Sequence, residues 1–504
     1  MPQLYWVLSK CLRQERAKLS AVFSGALLLA IGMGLGRLLG LFRDYLIVSL
    51  LGVGESSDFF IILATLPDVL LSLVGGAVFS SVVVPWYRSG SDEDVVSNWS
   101  NGIGWMVIIS ILIAVILVVS HELILSLLLP SLSEKFLNQY SVYLVFIVLL
   151  FPITIVTQLR GCFLQSRLQF RKVSLSTPIF NVTFIIVALT SVLGVLAVEQ
   201  ALVVAVVMAV IVRGAYVISG TRLRSVISYG SPIQKREPFD FRYYILASIV
   251  GAGLVVIPVI IRSIESLEGD GAATYFHLGW RIYEFGIGLI CYSVANSLIP
   301  RLGNSEAGGR DVYVSLASVI ILLSTFAISA YVGSVWFGST LAILISGSGV
   351  TEVGLSSVMR GYSPSMLFYG LVIFLSTVLI ARRKASELLW STALGFVSLL
   401  ALYAVNAHPS IIFGAVSFCM LSVQLHRFLK DFAVSVSDLT CLSLSLCLVG
   451  MFWFFVHKLY LVGANELSSL FWSVISGLTT LAIGIMSSGT LRKLLRSYAL
   501  GVLR

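Results

Sequence analysis

The sequence predicts an all-α polytopic membrane protein of about fourteen transmembrane helices. Three observations carry that prediction. Only 11% of the 504 residues are charged, less than half of what a solvated globular surface needs. Hydrophobic residues make up 58% of the chain, and the mean hydropathy is +0.99. Apolar runs long enough to cross a bilayer recur along nearly its whole length. A soluble enzyme, a nucleic-acid binder and a disordered scaffold are all excluded by this composition.

The elements follow in order. Residues 1–18 are basic and lack the compact apolar core and small-residue cleavage site of a signal peptide, so they read as a cytoplasmic lead-in. Apolar runs punctuated by charge, Gly or Pro then mark spans at 19–50, 58–86, 102–129, 141–162, 174–197, 200–219 and 242–264. Further spans fall at 273–300, 313–336, 363–381, 387–406, 410–426, 438–457 and 467–489. The shorter, Gly-flanked stretch 337–348 reads as an outer loop or partly embedded turn.

The basic residues test this topology independently. With the N-terminus inside, 25 of the 33 Lys and Arg fall on the inner side. Four fall outside (Lys135, Arg262, Arg360 and Lys458), and four lie within spans (Arg37, Arg43, Arg213 and Arg281). Such asymmetry places both termini on the cytoplasmic side and explains the net charge of +9 without nucleic acid. The six cysteines show no metal-type spacing and read as free apolar residues. No connection is long enough for a soluble domain, and no Walker motif, HExxH or Gly-rich phosphate loop occurs, so neither cofactor nor metal is called for.

A weak echo links the second and eighth spans. Asp58 to Pro85 and Ala273 to Pro300 both open with aromatics and end in proline. An offset of six helices makes the copies parallel. This suggests two six-helix lobes, 19–219 and 242–426, joined by a cytoplasmic loop at 220–241. Residues 427–504 would add two helices and a cytoplasmic tail.

Charges inside spans are costly and usually face protein or a watery cavity. Arg37 and Arg43 lie about 120° apart on a straight helix; a bend at Gly32, Gly34, Gly36 or Gly40 would let both reach one cavity. Pairing of Arg43 with neighbouring Asp44 is the alternative. Asp58 suits a helix cap, whereas Asp68, beside Pro67, lies too deep for one. Gly75 and Gly76 offer a flexible point for cavity gating, together with Asp68. Arg281 and Glu284 are i, i+3 neighbours that either neutralise each other or present an ion pair to an anionic substrate. Arg213 sits near enough to its helix end to snorkel. Arginines in a cleft suit phosphate or pyrophosphate, so the cargo reads as anionic and amphiphilic.

The segment GRLLGLFRDYLIVSLLGVGESSDFFIILATLPDVLLSLVGGAVFSSVVVP resembles the N-terminal signature of the MurJ (MviN) lipid II flippases. These belong to the multidrug/oligosaccharidyl-lipid/polysaccharide exporter (MOP) superfamily. FPITIVTQLRGCFLQSRLQFRKVSLSTPIFNVTFI and WRIYEFGIGLICYSVANSLIPRL resemble the family's fourth-to-fifth and eighth helices. The resemblance implies a flippase moving a polyprenyl-pyrophosphate-linked saccharide between leaflets of the bacterial inner membrane by alternating access. It places Arg37, Arg43, Asp58 and Arg281 on central-cavity positions and Glu284 on the eighth-helix acid, as substrate-binding residues. It also implies membrane lipids as partners, with envelope-polysaccharide synthesis enzymes beside them, and a lipid-tail groove formed by the last two helices.

The sequence departs from the family pattern at several points. Leu71 and Ser72 stand where the family has a basic pair, Gly76 where it has an acid, Trp280 where it often has Asp, and Gly286 where it has Pro. The lost cations weaken the case for the peptidoglycan precursor and leave open a related lipid-linked oligosaccharide. Acids for a sodium site are absent from the eleventh span, and the seventh has only Asp240 at its edge. A membrane-embedded glycosyltransferase or polymerase, and a non-transporting scaffold for envelope synthesis, are the competing functions.

Overall fold

The computed structural model describes residues 28, 31–73, 82–84, 107–167, 169–219, 241–269, 271–292, 294–295, 309–334, 340 and 352–431. Gly75, Gly76, the N-terminal segment, the 220–240 loop and the last two predicted spans lie outside the described residues, as does nearly all of 337–348.

The described residues are helical almost throughout. The first helix, α1, covers 31–51 and is followed by α2 (Glu55–Leu73). The third predicted span is broken: α3 (Val107–Val119) and α4 (His121–Leu128) meet at 77°. Next come α5 (Glu134–Val148), α6 (Phe151–Ser166), α7 (Phe170–Ala188) and α8 (Val198–Ile218). The rest are α9 (Phe241–Glu265), α10 (Ala272–Ile287), α11 (Gly309–Val332), α12 (Glu352–Ala381), α13 (Ala385–Ala404) and α14 (Pro409–Asp431). Eight straight helical stretches are long and apolar enough to cross a bilayer, with the bent pair a ninth, among the described residues. One of the eight joins α5 and α6 across the short break at 149–150.

Two predicted positions are corrected. Arg360, assigned to an outer loop, lies inside α12, because that helix begins at Glu352 instead of 363. Arg262, assigned to the same side, is a buried residue in the last turn of α9. A charge a few residues from the end of an apolar run looks like a loop residue until the neighbouring helices are seen to cover it.

Large apolar side chains remain on the outside, including Val119 at 81% and Leu193 at 77% exposure. In a bilayer these face hydrocarbon, so the outer surface need not be polar. The interior is tied by aromatic clusters. Phe59 and Phe60 of α2 meet Phe136 and Tyr140 of α5. Trp280 of α10 packs against Tyr369 of α12 and Phe413 of α14, with ring centroids 5.5 and 5.2 Å away.

Helix α2 packs on α5, α6 and α8, and α7 packs along α8. In the second half, α12 packs on α10, α11 and α14, while α13 packs on α9 and α14. Helix α2 also meets α9 and α10, and between these three lies the cavity.

The glycines of α1 pack it against a neighbouring helix. Gly32, Gly36 and Gly40 recur every fourth residue and press against Ser174, Thr177–Pro178 and Asn181 of α7. Small residues at this spacing let two backbones approach closely in a membrane. The seam fixes the rotation of α1 and therefore the direction of each arginine on it.

Candidate cation-lined cavity

A cavity of about 330 Å³ lies between α2, α9, α10 and α12. Its charged lining residues are Arg37, Asp68, Arg262, His277, Arg281 and Glu284. Trp280, Tyr292 and Tyr369 supply an aromatic wall.

The α10 face is the centre of the arrangement. His277, Arg281 and Glu284 fall at i, i+4 and i+7 and therefore share one stripe of the helix. Arg281 donates from Nε to Asp44 Oδ2 at 2.8 Å and from Nη1 to Glu284 Oε2 at 2.6 Å. Nε2 of His277 lies 2.9 Å from the same Asp44 oxygen. Asp44 is fully buried, and its other oxygen accepts from Arg43 Nε at 2.8 Å. One carboxylate on α1 thus holds a cation of its own helix and two basic groups of α10.

Arg37 reaches the cavity from α1. Its Nη1 lies 3.6 Å from Glu284 Oε1 and also donates to the Glu284 backbone carbonyl. Here α10 passes into a π-helical turn, Gly288–Tyr292. Such turns shift the backbone hydrogen-bond pattern and recur at functional sites. Arg37 lies directly over Gly288, where any Cβ would collide with its guanidinium.

Helix α2 supplies the facing wall through Thr65, Asp68, Val69 and Ser72. Pro67 cannot donate a backbone hydrogen bond, which loosens the helix one turn earlier. Asp68 Oδ1 accepts from Arg213 Nη1 of α8 at 3.0 Å, so Arg213 is an ion-pair partner in the interior and not a snorkelling residue. Ser72 lines this wall and Leu71 is buried next to it in sequence, the two positions where the resemblance led one to look for cations.

Two of the anticipated substrate-binding residues stand elsewhere. Arg43 lies outside the cavity lining: it is buried against α7, with Nη1 3.3 Å from Asn181 Oδ1 and its guanidinium near the Phe180 and Phe184 rings. The turn angle of about 120° between positions 37 and 43 accounts for the split. Asp58 is also outside the lining; it is buried at the start of α2 and accepts from the Thr274 hydroxyl. Ser57 Oγ and Thr274 Oγ1 are 3.1 Å apart, so the first turns of α2 and α10 are joined.

Sequence reasoning missed Asp44, His277 and Arg262. The His277, Arg281, Glu284 stripe was detectable from its i, i+4, i+7 spacing alone. The pairing of Asp44 with Arg43 was also open to view, but its role across the fold was not, because His277 and Arg281 lie more than 230 residues away.

The fold is that of known transporters. It matches a solved structure described as "Lipid II flippase MurJ, inward closed conformation" with a TM-score of 0.64 and 18% identity, covering 93% of this chain and 99% of that one. It also matches an outward-facing multidrug resistance MATE transporter of the MOP superfamily at a TM-score of 0.55 and 14% identity, over 84% and 95% of the two chains. A helical bundle surrounding a charged internal cavity, with helices long and apolar enough to cross a bilayer, defines a polytopic membrane protein of this fold. In sequence, the chain is 23% identical over 372 residues to "Probable lipid II flippase MurJ" of Aquifex aeolicus (strain VF5), spanning 72% of this chain and 73% of that protein. The family model described as "Lipid II flippase MurJ" matches residues 47–496, and the chain belongs to that family.

Proposed function

We propose that this protein moves a polyprenyl-pyrophosphate-linked saccharide, lipid II or a related lipid-linked oligosaccharide, from the inner to the outer leaflet of the bacterial inner membrane. Both termini face the cytoplasm. The two halves, 19–219 and 242–426, work as lobes that open alternately to either side, and residues 427–504 accompany the lipid tail. Partners are the lipid-linked cargo, the surrounding lipids and the enzymes of envelope-polysaccharide synthesis.

The observation that carries the reading is the placement of Arg37 and Arg281 on one cavity, each held by acids that leave donors for a ligand. Forked guanidinium donors match phosphate oxygens. Asp58 acts at the joined ends of α2 and α10, where its contact with Thr274 must break for that side to open. Arg43 acts through Asp44, by fixing the acid that orients Arg281. Transport itself needs only that cargo bind the inward- and outward-open states differently.

The test is flipping of a fluorescent polyprenyl-pyrophosphate saccharide in proteoliposomes, paired with complementation of a flippase-depleted strain. Arg281→Ala should abolish both while the protein remains folded in the membrane. Normal flipping by that variant would sink the site assignment. Formation of new glycosidic bonds by the purified protein would instead favour a transferase.

A further inference from the structure

Each cavity arginine is matched to a carboxylate, with one exception. Arg37 has Glu284, and Arg281 has Asp44 and Glu284. Arg213, behind the α2 wall, has Asp68. Arg262 makes no ion pair among the described residues, and its buried Nε has no hydrogen-bond partner. Yet it is only 7% exposed and lines the cavity. The acid whose charge reaches it most strongly, Asp58, is engaged by the Thr274 hydroxyl. Across from it, α2 offers Thr65, Asp68, Val69 and Ser72, none of them a cation.

A buried guanidinium cannot escape its cost by losing a proton. Leaving it without a counter-charge is one of the more expensive arrangements a protein interior can hold. Such a group persists where a ligand completes it. We infer that Arg262 is a cargo-binding residue, donating to a phosphate-class anionic group at the end of the cavity nearest the first turn of α10. This inference rests on the anionic-cargo reading above. Arg37 and Arg281 hold one part of the charged group, and Arg262 takes the oxygens at the opposite end.

The test uses the full chain in nanodiscs, titrated in separate arms with a polyprenyl pyrophosphate and with inorganic pyrophosphate. Thermal unfolding of the unliganded protein is measured alongside. Arg262→Gln should weaken lipid binding about tenfold to a hundredfold, the range of a lost charged hydrogen-bonding partner, and Arg262→Lys should recover part of it. The unliganded Arg262→Gln variant should melt at the same temperature or higher, because an uncompensated buried charge has been removed. Arg262-dependent binding in the lipid arm alone assigns the group to the headgroup; binding of equal strength in both arms assigns it to the free anion. Unchanged lipid binding by Arg262→Gln overturns the inference and leaves the cargo reading intact. A melting temperature several degrees lower makes Arg262 a structural anchor and also overturns it. Failure of the unsubstituted protein to bind either probe overturns the cargo reading and this inference together.

Discussion

Asp44 serves as counter-ion to three basic groups, and this makes it the most sensitive single residue outside the cavity lining. Its two oxygens meet Arg43, His277 and Arg281 while fully shielded from solvent. Asp44→Asn keeps the shape but strands the Arg43 guanidinium and leaves Arg281 with Glu284 as its one carboxylate among the described residues. Breaking a buried charge cluster in this way costs about 3–5 kcal/mol, so thermal unfolding in detergent should show a large drop in melting temperature. A shift of a degree or less would mean that Arg43 and Arg281 find other partners. Asp68→Asn is the contrasting case, because the Asp68 side chain is 50% exposed. Loss of its pair with Arg213 should cost about 0–1 kcal/mol in the same assay, and a drop comparable to that of Asp44→Asn would contradict the reading. The sequence shows that charges are present inside spans, where they are expected to face protein or a watery cavity. It does not show which charges meet, since the Asp44 cluster joins α1 to α10 and only their packing creates it.

At the level of the helix, the glycines of α1 divide into a packing set and a free one. A Cβ on Gly32 would run into the backbone carbonyl of Ser174, which cannot move aside as a side chain can. A Cβ on Gly34 would meet only the tip of Leu289 at 3.6 Å, an ordinary contact. Gly32→Ala should therefore destabilise the protein by about 1–3 kcal/mol through forced separation of α1 and α7. Gly34→Ala should be neutral or slightly stabilising, since alanine is the better helix former. Equal melting temperatures for the two variants would refute the seam. The spans among the described residues were readable from hydropathy, because the bilayer imposes that pattern on every helix. Glycine gives no such signal: a hinge and a close-packed seam look alike until the partner helix is placed. The 77° break between α3 and α4 falls at polar Ser120, His121 and Glu122, inside a run otherwise apolar enough to read as one span.

For the whole molecule, some of the links between the first and second sets of helices lie at helix ends. The first turns of α2 and α10 join through Ser57, Asp58 and Thr274. Ser263 of α9 donates to the Leu128 carbonyl at the end of α4 at 2.9 Å, tying another pair of helix ends. These are short polar links, one of them to a backbone carbonyl. That is the kind of contact an alternating transporter can open and remake in each cycle. A Ser57→Cys/Thr274→Cys double variant tests whether it does so. The two hydroxyl oxygens are already 3.1 Å apart, so oxidation should join the new thiols, whereas either single variant should remain uncrosslinked. Native Cys162 and Cys291 are buried, and Cys11, Cys419, Cys441 and Cys447 are replaced by serine in the background so that they do not compete for the oxidant. Crosslinking in proteoliposomes should stop flipping, and reduction should restore it. The unliganded protein should still bind its cargo from the opposite side while locked, because no cavity residue has been altered. Full flipping by quantitatively crosslinked protein would show that the α2–α10 junction stays closed throughout the cycle, and that cargo leaves by another route.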